Sequence, residues 1–280
     1  MEKKKISFTN YAKMKAEGKK IVMITAYDFA SATLAEKADV DIILVGDSLG
    51  NVVLGYDSTL PVTMEDMIHH TKPVVKGASH TTVITDMPFG SFEVSVEQAV
   101  ANAVRIIKEA GSDGVKIEGG RERAHLIKAI SDAGIPVCAH IGLTPQFVMQ
   151  FGGYKIQGKT AEAAEKLIND ALAVEKAGAR MVVLECVPAE IAELISQKVS
   201  IPTIGIGAGA GCDGQVLVWY DLVNMYDGFK PKFVKHFAEA GKLIQKAFEE
   251  YAAEVRGGTF PAEEHNFSTT MSDEELKKLY

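Results

Sequence analysis

Ionisable side chains recur at one kind of place in this chain, at or just past the end of a short β-branched run. Asp47 and Ser48 follow DIILVG, and Asp86 closes TTVITD. Lys116 and Glu118 alternate in GVKIEGG, His140 lies in IPVCAHIG, and Glu185 ends ARMVVLE. A charge taken out of water costs several kcal/mol unless it is paired, so five consecutive runs each bearing one point to chemistry. If the runs are neighbouring strands, roughly 4.8 Å apart, Asp47, Asp86 and Glu118 crowd into one patch. Three anions that close repel unless a cation sits among them. An all-oxygen set, with no Cys or His at zinc spacing, favours a hard cation such as Mg2+. Each carboxylate alone has a plainer role as the N-cap of a following helix, and Asp86, before Pro88, as a turn residue.

Lys116 and Glu118 stand two apart and share one face of a strand. The lysine could bind a substrate carboxylate or steady a developing oxyanion, or simply pair with Glu118 or another carboxylate. A Schiff-base role is disfavoured, because crowded anions keep an amine protonated. Glu185, in VVLECVP, has the apolar flanks that suit a general base near neutral pH, or is a salt-bridged strand end. His140 reads as a hydrogen-bond donor, a weak metal ligand or a satisfied core histidine. The Gly-rich run at 205–211 has no GxxxxGK[ST] pattern and reads as a pocket wall. His69 and His70 read as surface residues, and Met181 and Phe147 as core.

The elements that must position these groups repeat. Val- and Ile-rich runs occupy 21–28, 41–48, 81–88, 114–120, 135–142, 179–186, 201–209 and, least clearly, 214–223. Runs of this kind bounded by turn residues read as buried parallel strands. Between them, 95–111, 121–134 and 160–178 place apolar residues at three- and four-residue steps and end in Gly. Eight strand–helix units over about 250 residues describe a (β/α)8 TIM barrel better than an open sheet, and such a barrel is one domain, here 1–280. In that fold the carboxyl ends of the strands face the active site. Residues 7–20 are expected to form a helix capping the barrel bottom, and 257–280 a polar tail on the surface or mobile. The loop 49–61 reads as a lid or a packed Ω-loop.

Bulk composition excludes other classes. The 280 residues carry 30 Lys+Arg against 37 Asp+Glu, a net charge of −7 with no long basic run, which disfavours nucleic-acid binding. No stretch approaches about 20 apolar residues, the length of a membrane span. The opening MEKKKISF lacks an apolar h-region, and three cysteines, two in apolar runs, suggest reduced core thiols and a cytoplasmic protein.

Several long stretches then resemble one family: VGDSLGNVVLGYDSTLPVTMEDM, ITDMPFGS, VKIEGG, AHIGLTPQ, VLECVP and IGIGAGAGCDGQVLVWYD, in this order. They resemble the ketopantoate hydroxymethyltransferases, with mild departures at Met87 and 139–142. The resemblance implies a (β/α)8 barrel of the phosphoenolpyruvate mutase-like superfamily. It implies transfer of a one-carbon unit from 5,10-methylenetetrahydrofolate to 3-methyl-2-oxobutanoate, giving 2-dehydropantoate for pantothenate and coenzyme A synthesis. It further implies that Asp47, Asp86 and Glu118 hold or surround Mg2+, that Ser48 and Lys116 grip the ketoacid, and that Glu185 accepts the proton. His140 is expected to bond the developing enolate oxygen or a metal ligand. Family members are large homo-oligomers, commonly decamers. Another Mg2+-dependent 2-oxoacid lyase or aldolase, or a non-catalytic barrel, is the competing expectation.

Overall fold

The structure is a computed structural model that describes residues 5–226, 228 and 230–279; residues 1–4 of the basic start and residue 280 of the tail lie outside it. Eight parallel strands close a barrel in chain order. They are β1 (Ile21–Thr25), β2 (Ile42–Val45), β3 (Thr82–Asp86), β4 (Gly114–Glu118), β5 (Val137–Gly142), β6 (Met181–Glu185), β7 (Thr203–Ile206) and β8 (Gly214–Leu217). Alternation along each strand sorts side chains into two populations. Ile42, Leu44, Ile84, Cys138, Met181, Val183, Ile204 and Val216 pack together, with Ile21 and Met23, as one cluster that fills the barrel. Val115, Ile117, Val137, Ala139, Ile141, Val182 and Leu184 point the other way and meet the helices.

The helices start and stop where short-range chemistry dictates. Asp28, Thr63, Ser95 and Thr160 each accept a hydrogen bond from a first-turn N–H and cap the helices Phe29–Lys37, Met64–Gly77, Val96–Arg105 and Ala161–Lys176. Beyond the last of these, Gly178 turns at φ +103°, a conformation costly for residues with a Cβ. The helix from Ser95 does not stay regular to Gly111, because its last turn, Ile106–Ala110, widens into a π-helix.

Helix Phe8–Ala16 closes the amino end of the barrel. Tyr11 is fully buried in the interior cluster, its hydroxyl 2.8 Å from both the Asp41 carbonyl and Thr82 Oγ1. The loop after β2 folds on itself: Leu49–Val52 is a short helix, Leu49 and Gly50 are buried, and Tyr56 N–H donates to Gly50 O. One further expectation changes. The run 214–223 is a strand only to Leu217, and Trp219–Leu222 is already helical. The long helix that follows, Ala240–Gly257, buries none of its residues and leaves Ile244, Phe248, Tyr251 and Val255 exposed on one face. Ring contacts from Tyr251 to Phe260 and from Phe260 to His265 fold part of the tail back onto this helix.

Candidate active site

Strand register brings the ionisable residues together. Asp86 on β3 stands opposite Lys116 on β4, and Glu118 opposite His140 on β5. Gly142 on β5 stands opposite Glu185 on β6. The exposures of Asp47, Asp86, Lys116, Glu118 and His140 lie between 1% and 4%, so their partners decide their charge states.

Lys116 Nζ lies 3.2 Å from Asp86 Oδ1 and 3.7 Å from Glu118 Oε1. Burial opposes its charge, but Asp86, Glu118 and Asp47 outweigh that and hold its pKa above the ordinary lysine value. Among the described residues Asp47 has no cationic partner within ion-pair reach; its carboxylate meets the Gln146 amide, and its backbone N–H donates to Asp86 Oδ2 at 3.0 Å. Burial first, then repulsion from Asp86 and Glu118, pushes the Asp47 carboxyl well above the usual range. Asp86 is raised as well, by burial, against the attraction of Lys116 and the bond from Asp47 N–H. Glu118 moves the other way: burial would raise it, but Lys116 and the His140 hydrogen bond hold it below the usual value.

His140 places Nδ1 3.3 Å from Glu118 Oε1 and Nε2 3.1 Å from Glu185 Oε2. Burial and Lys116 disfavour its proton, yet the two carboxylates prevail and raise it to about 9. His140 Nδ1 also lies 3.2 Å from Lys116 Nζ, and Nε2, although near Glu185, makes no hydrogen bond among the described residues. Glu185 is the most open of the site carboxylates whose side chains pair with His140 or Lys116, at 16% side-chain exposure against 1% for Glu118 and 3% for Asp86. Its backbone is tightly shaped: a Cβ at Gly142 would lie 2.3 Å from Glu185 O, and Cys186 beside it takes a left-handed φ of 50°. Ser48 Oγ lies 2.8 Å from the Tyr27 hydroxyl.

Two residues, Gln146 and Tyr154, escaped the sequence reading, and a third, His70, was read as surface. Gln146, 3% exposed, joins Asp47 and Glu118. Tyr154, on the loop after β5, is raised by burial and then by the charges of Glu185, Asp47 and Glu118. His70 is not a free surface residue, since its Nδ1 lies 2.7 Å from Tyr27 O. Phe147 is only half-buried, with the Arg123 guanidinium 5.3 Å from its ring, whereas Met181 is core as expected. Gln146 and Tyr154 both lie within or just past the AHIGLTPQ stretch, and neither is charged, so spacing alone carried no signal.

The Gly-rich loop after β7 packs against Ala189, Glu193 and Phe233, as a wall does. A cleft of about 420 Å³ opens on the flank, lined by Arg121, Glu162, Lys166 and Asp170, and none of the strand-end groups reaches it. Among the described residues, no three His, Cys, Asp or Glu side chains are spaced to enclose a metal ion.

A family model described as Ketopantoate hydroxymethyltransferase matches residues 5–263. The chain belongs to the ketopantoate hydroxymethyltransferase family. Its similarity to curated members runs end to end. A 3-methyl-2-oxobutanoate hydroxymethyltransferase of Heliobacterium modesticaldum is 56% identical over 277 residues, 99% of each chain. One of Clostridium novyi is 55% identical, over 99% of this chain and all of its own. The hydroxymethyltransferase barrel is also that of 2,3-dimethylmalate lyase, a member of the PEP mutase/isocitrate lyase superfamily (TM-score 0.59, 18% identity, 97% of this chain and 93% of the other). It is shared too with phosphonopyruvate hydrolase, solved in complex with oxalate and Mg++ (TM-score 0.57, 13% identity, 98% and 95%).

Proposed function

We propose that the protein transfers a hydroxymethyl group from 5,10-methylenetetrahydrofolate to 3-methyl-2-oxobutanoate, giving 2-dehydropantoate. The observation that carries this is the whole-length identity to hydroxymethyltransferases, and the buried charges supply a chemistry for it. The family implies Mg2+, and the residues fit. Repulsion from Asp86 and Glu118 helps push the Asp47 carboxyl up, and a divalent cation among these carboxylates would relieve it. Among the described residues, buried Asp86 Oδ1 has no hydrogen-bond donor, although Lys116 stands near it. Mg2+ commonly takes one or two carboxylates and fills its remaining positions with water and substrate oxygens, so a closed three-residue cage is not needed. Asp47 and Asp86 would hold it. Glu118, with Oε1 facing His140 and Lys116 and Oε2 taking the Gln146 N–H, belongs to the surround.

The chemistry Mg2+ supplies when bound is Lewis acidity toward the ketoacid's carboxylate and 2-oxo oxygens. Ser48 and Lys116 would grip the ketoacid, with the fixed positive charge of Lys116 opposing the negative charge that develops on the 2-oxo oxygen. Glu185 removes the C3 proton, and His140, with Nε2 3.1 Å from Oε2, sets a positive charge beside that carboxylate. The C3 carbanion attacks the folate methylene, water supplies the hydroxyl on the new carbon, and tetrahydrofolate leaves. The protein should exchange the C3 hydrogen of 3-methyl-2-oxobutanoate for deuterium with Mg2+ alone and form 2-dehydropantoate only once the folate is added. Turnover of the ketoacid without folate would overturn this in favour of a lyase.

The exposed face of Ala240–Gly257 supports a homo-oligomer, of which the decamer is the form the resemblance implies, because isolated globular chains seldom leave such a stripe bare. Phe248→Glu should lower the mass measured by light scattering; an unchanged mass refutes that face as the contact. Among the described residues no helix is long and apolar enough to cross a membrane. The three free cysteines favour the reducing cytoplasm.

A further inference from the structure

Gln146 is an uncharged side chain in the middle of a charged site. It sits in the turn Pro145–Phe147 after β5, where Pro145 starts a single 3-10 turn that brings the next residue inward. Its Nε2 donates to Asp47 Oδ2 at 2.8 Å and to the Met87 carbonyl at 3.0 Å, and its backbone N–H donates to Glu118 Oε2 at 3.0 Å. Both neighbours of that end of the amide are pure acceptors, so the amide's orientation is determined, with the NH2 toward Asp47 and Oε1 away from it. Oε1 is buried and, among the described residues, has no hydrogen-bond partner. One residue therefore ties together the segments that follow β2 and β3 and the end of β4, and offers one unmet acceptor beside them.

We propose that Gln146 is a positioning residue that fixes the Asp47 carboxylate for a divalent cation, and that its Oε1 accepts a hydrogen bond from a water carried in with that hydrated cation. The proposal rests on the cation reading above. Donation to Oδ2 stops the carboxylate from rotating and assigns its second oxygen to a ligand. Partners that hold a ligating carboxylate in this way commonly set metal affinity by 10–100-fold, on the order expected here. A hydrated cation that keeps several of its waters supplies the donor that Oε1 lacks.

The test uses Mn2+ as the probe, counted as free ion by electron paramagnetic resonance with full-length protein and no ketoacid present. Gln146→Met, of similar volume and without donor or acceptor, should raise the Mn2+ dissociation constant by about 10-fold or more. It should also slow C3 deuterium exchange. If Gln146 acts through Asp47, adding Gln146→Met to Asp47→Asn costs less than about a further 2-fold in exchange. Gln146→Asn, one methylene short of Asp47 but still polar, gives the same two readouts should the Met variant fail to fold. Wild-type Mn2+ affinity in a folded variant overturns the proposal, as do exchange losses that multiply fully in the double variant. If wild-type protein binds no Mn2+, the cation reading fails, and the exchange cycle still decides whether Gln146 works through Asp47.

Discussion

The barrel mouth has two sides, and the same side-chain type behaves in opposite ways on them. Toward β2 and β3, Asp47 and Asp86 are linked to each other by a backbone N–H and are raised by burial. Toward β4, β5 and β6, Glu118 and Glu185 flank His140, and Glu118 is lowered. Lys116 stands between, nearer to Asp86. Carboxylates buried alike are thus set apart by the cations and donors each one meets, Lys116, His140 and the Gln146 N–H for Glu118 against the Gln146 amide for Asp47. One side is left short of positive charge and suits a cation that comes and goes; the other is balanced from within and suits a fixed base.

That contrast can be broken experimentally. The largest effect belongs to the balanced side: Glu185→Gln should slow C3 deuterium exchange by about 100-fold or more, the usual worth of a general base. Undiminished exchange sinks the base assignment. On the other side, Asp47→Asn should raise the Mg2+ concentration for half-maximal exchange by at least about 10-fold, and an unchanged titration removes Asp47 from the ligand set. His140 sharpens the comparison through pH. Its folded pKa, raised from 6.5 to about 9, means its contribution to stability is whole below about 6.5 and is lost as pH rises through about 9. Thermal melts of wild type should fall across that window and those of His140→Gln should fall less; parallel curves would show His140 to be neutral in the fold. The smallest effect is expected at the edge of the cation side, where Ser48→Ala should raise the ketoacid KM by roughly 10-fold with little change in kcat. A fall in kcat alone would move Ser48 from binding to chemistry.

The strand ends were legible in the sequence because buried parallel strands are Val- and Ile-rich throughout, so a terminal Asp86 or Glu185 stands out against its own run. Lys116 and Glu118 could be put on one face by counting two. The pairing of Glu118 with His140 could not be read, since it depends on the register between β4 and β5, a property of two strands at once. Gln146 and Tyr154 were missed for a related reason: a loop residue's place is set by where the chain returns in space, and neither residue type advertises charge. The last strand was read too long because Trp219 and Tyr220 continue its apolar pattern after Leu217, where the backbone turns helical. Nothing periodic in Ala240–Gly257 says whether its apolar stripe meets the barrel or another chain, because amphipathicity announces a partner without naming it.

The buried Tyr11 at the amino end has a consequence for traffic. With the interior packed by apolar side chains and the base stoppered by an aromatic ring, the barrel is a one-ended vessel. Water, substrate and product would then share one opening, and so would a hydrogen taken from C3 on its way to solvent. Glu185, the base we propose, has a more exposed side chain than Asp86 or Glu118. A cork at one end thereby makes the order of arrival and departure at the other end part of the catalytic cycle.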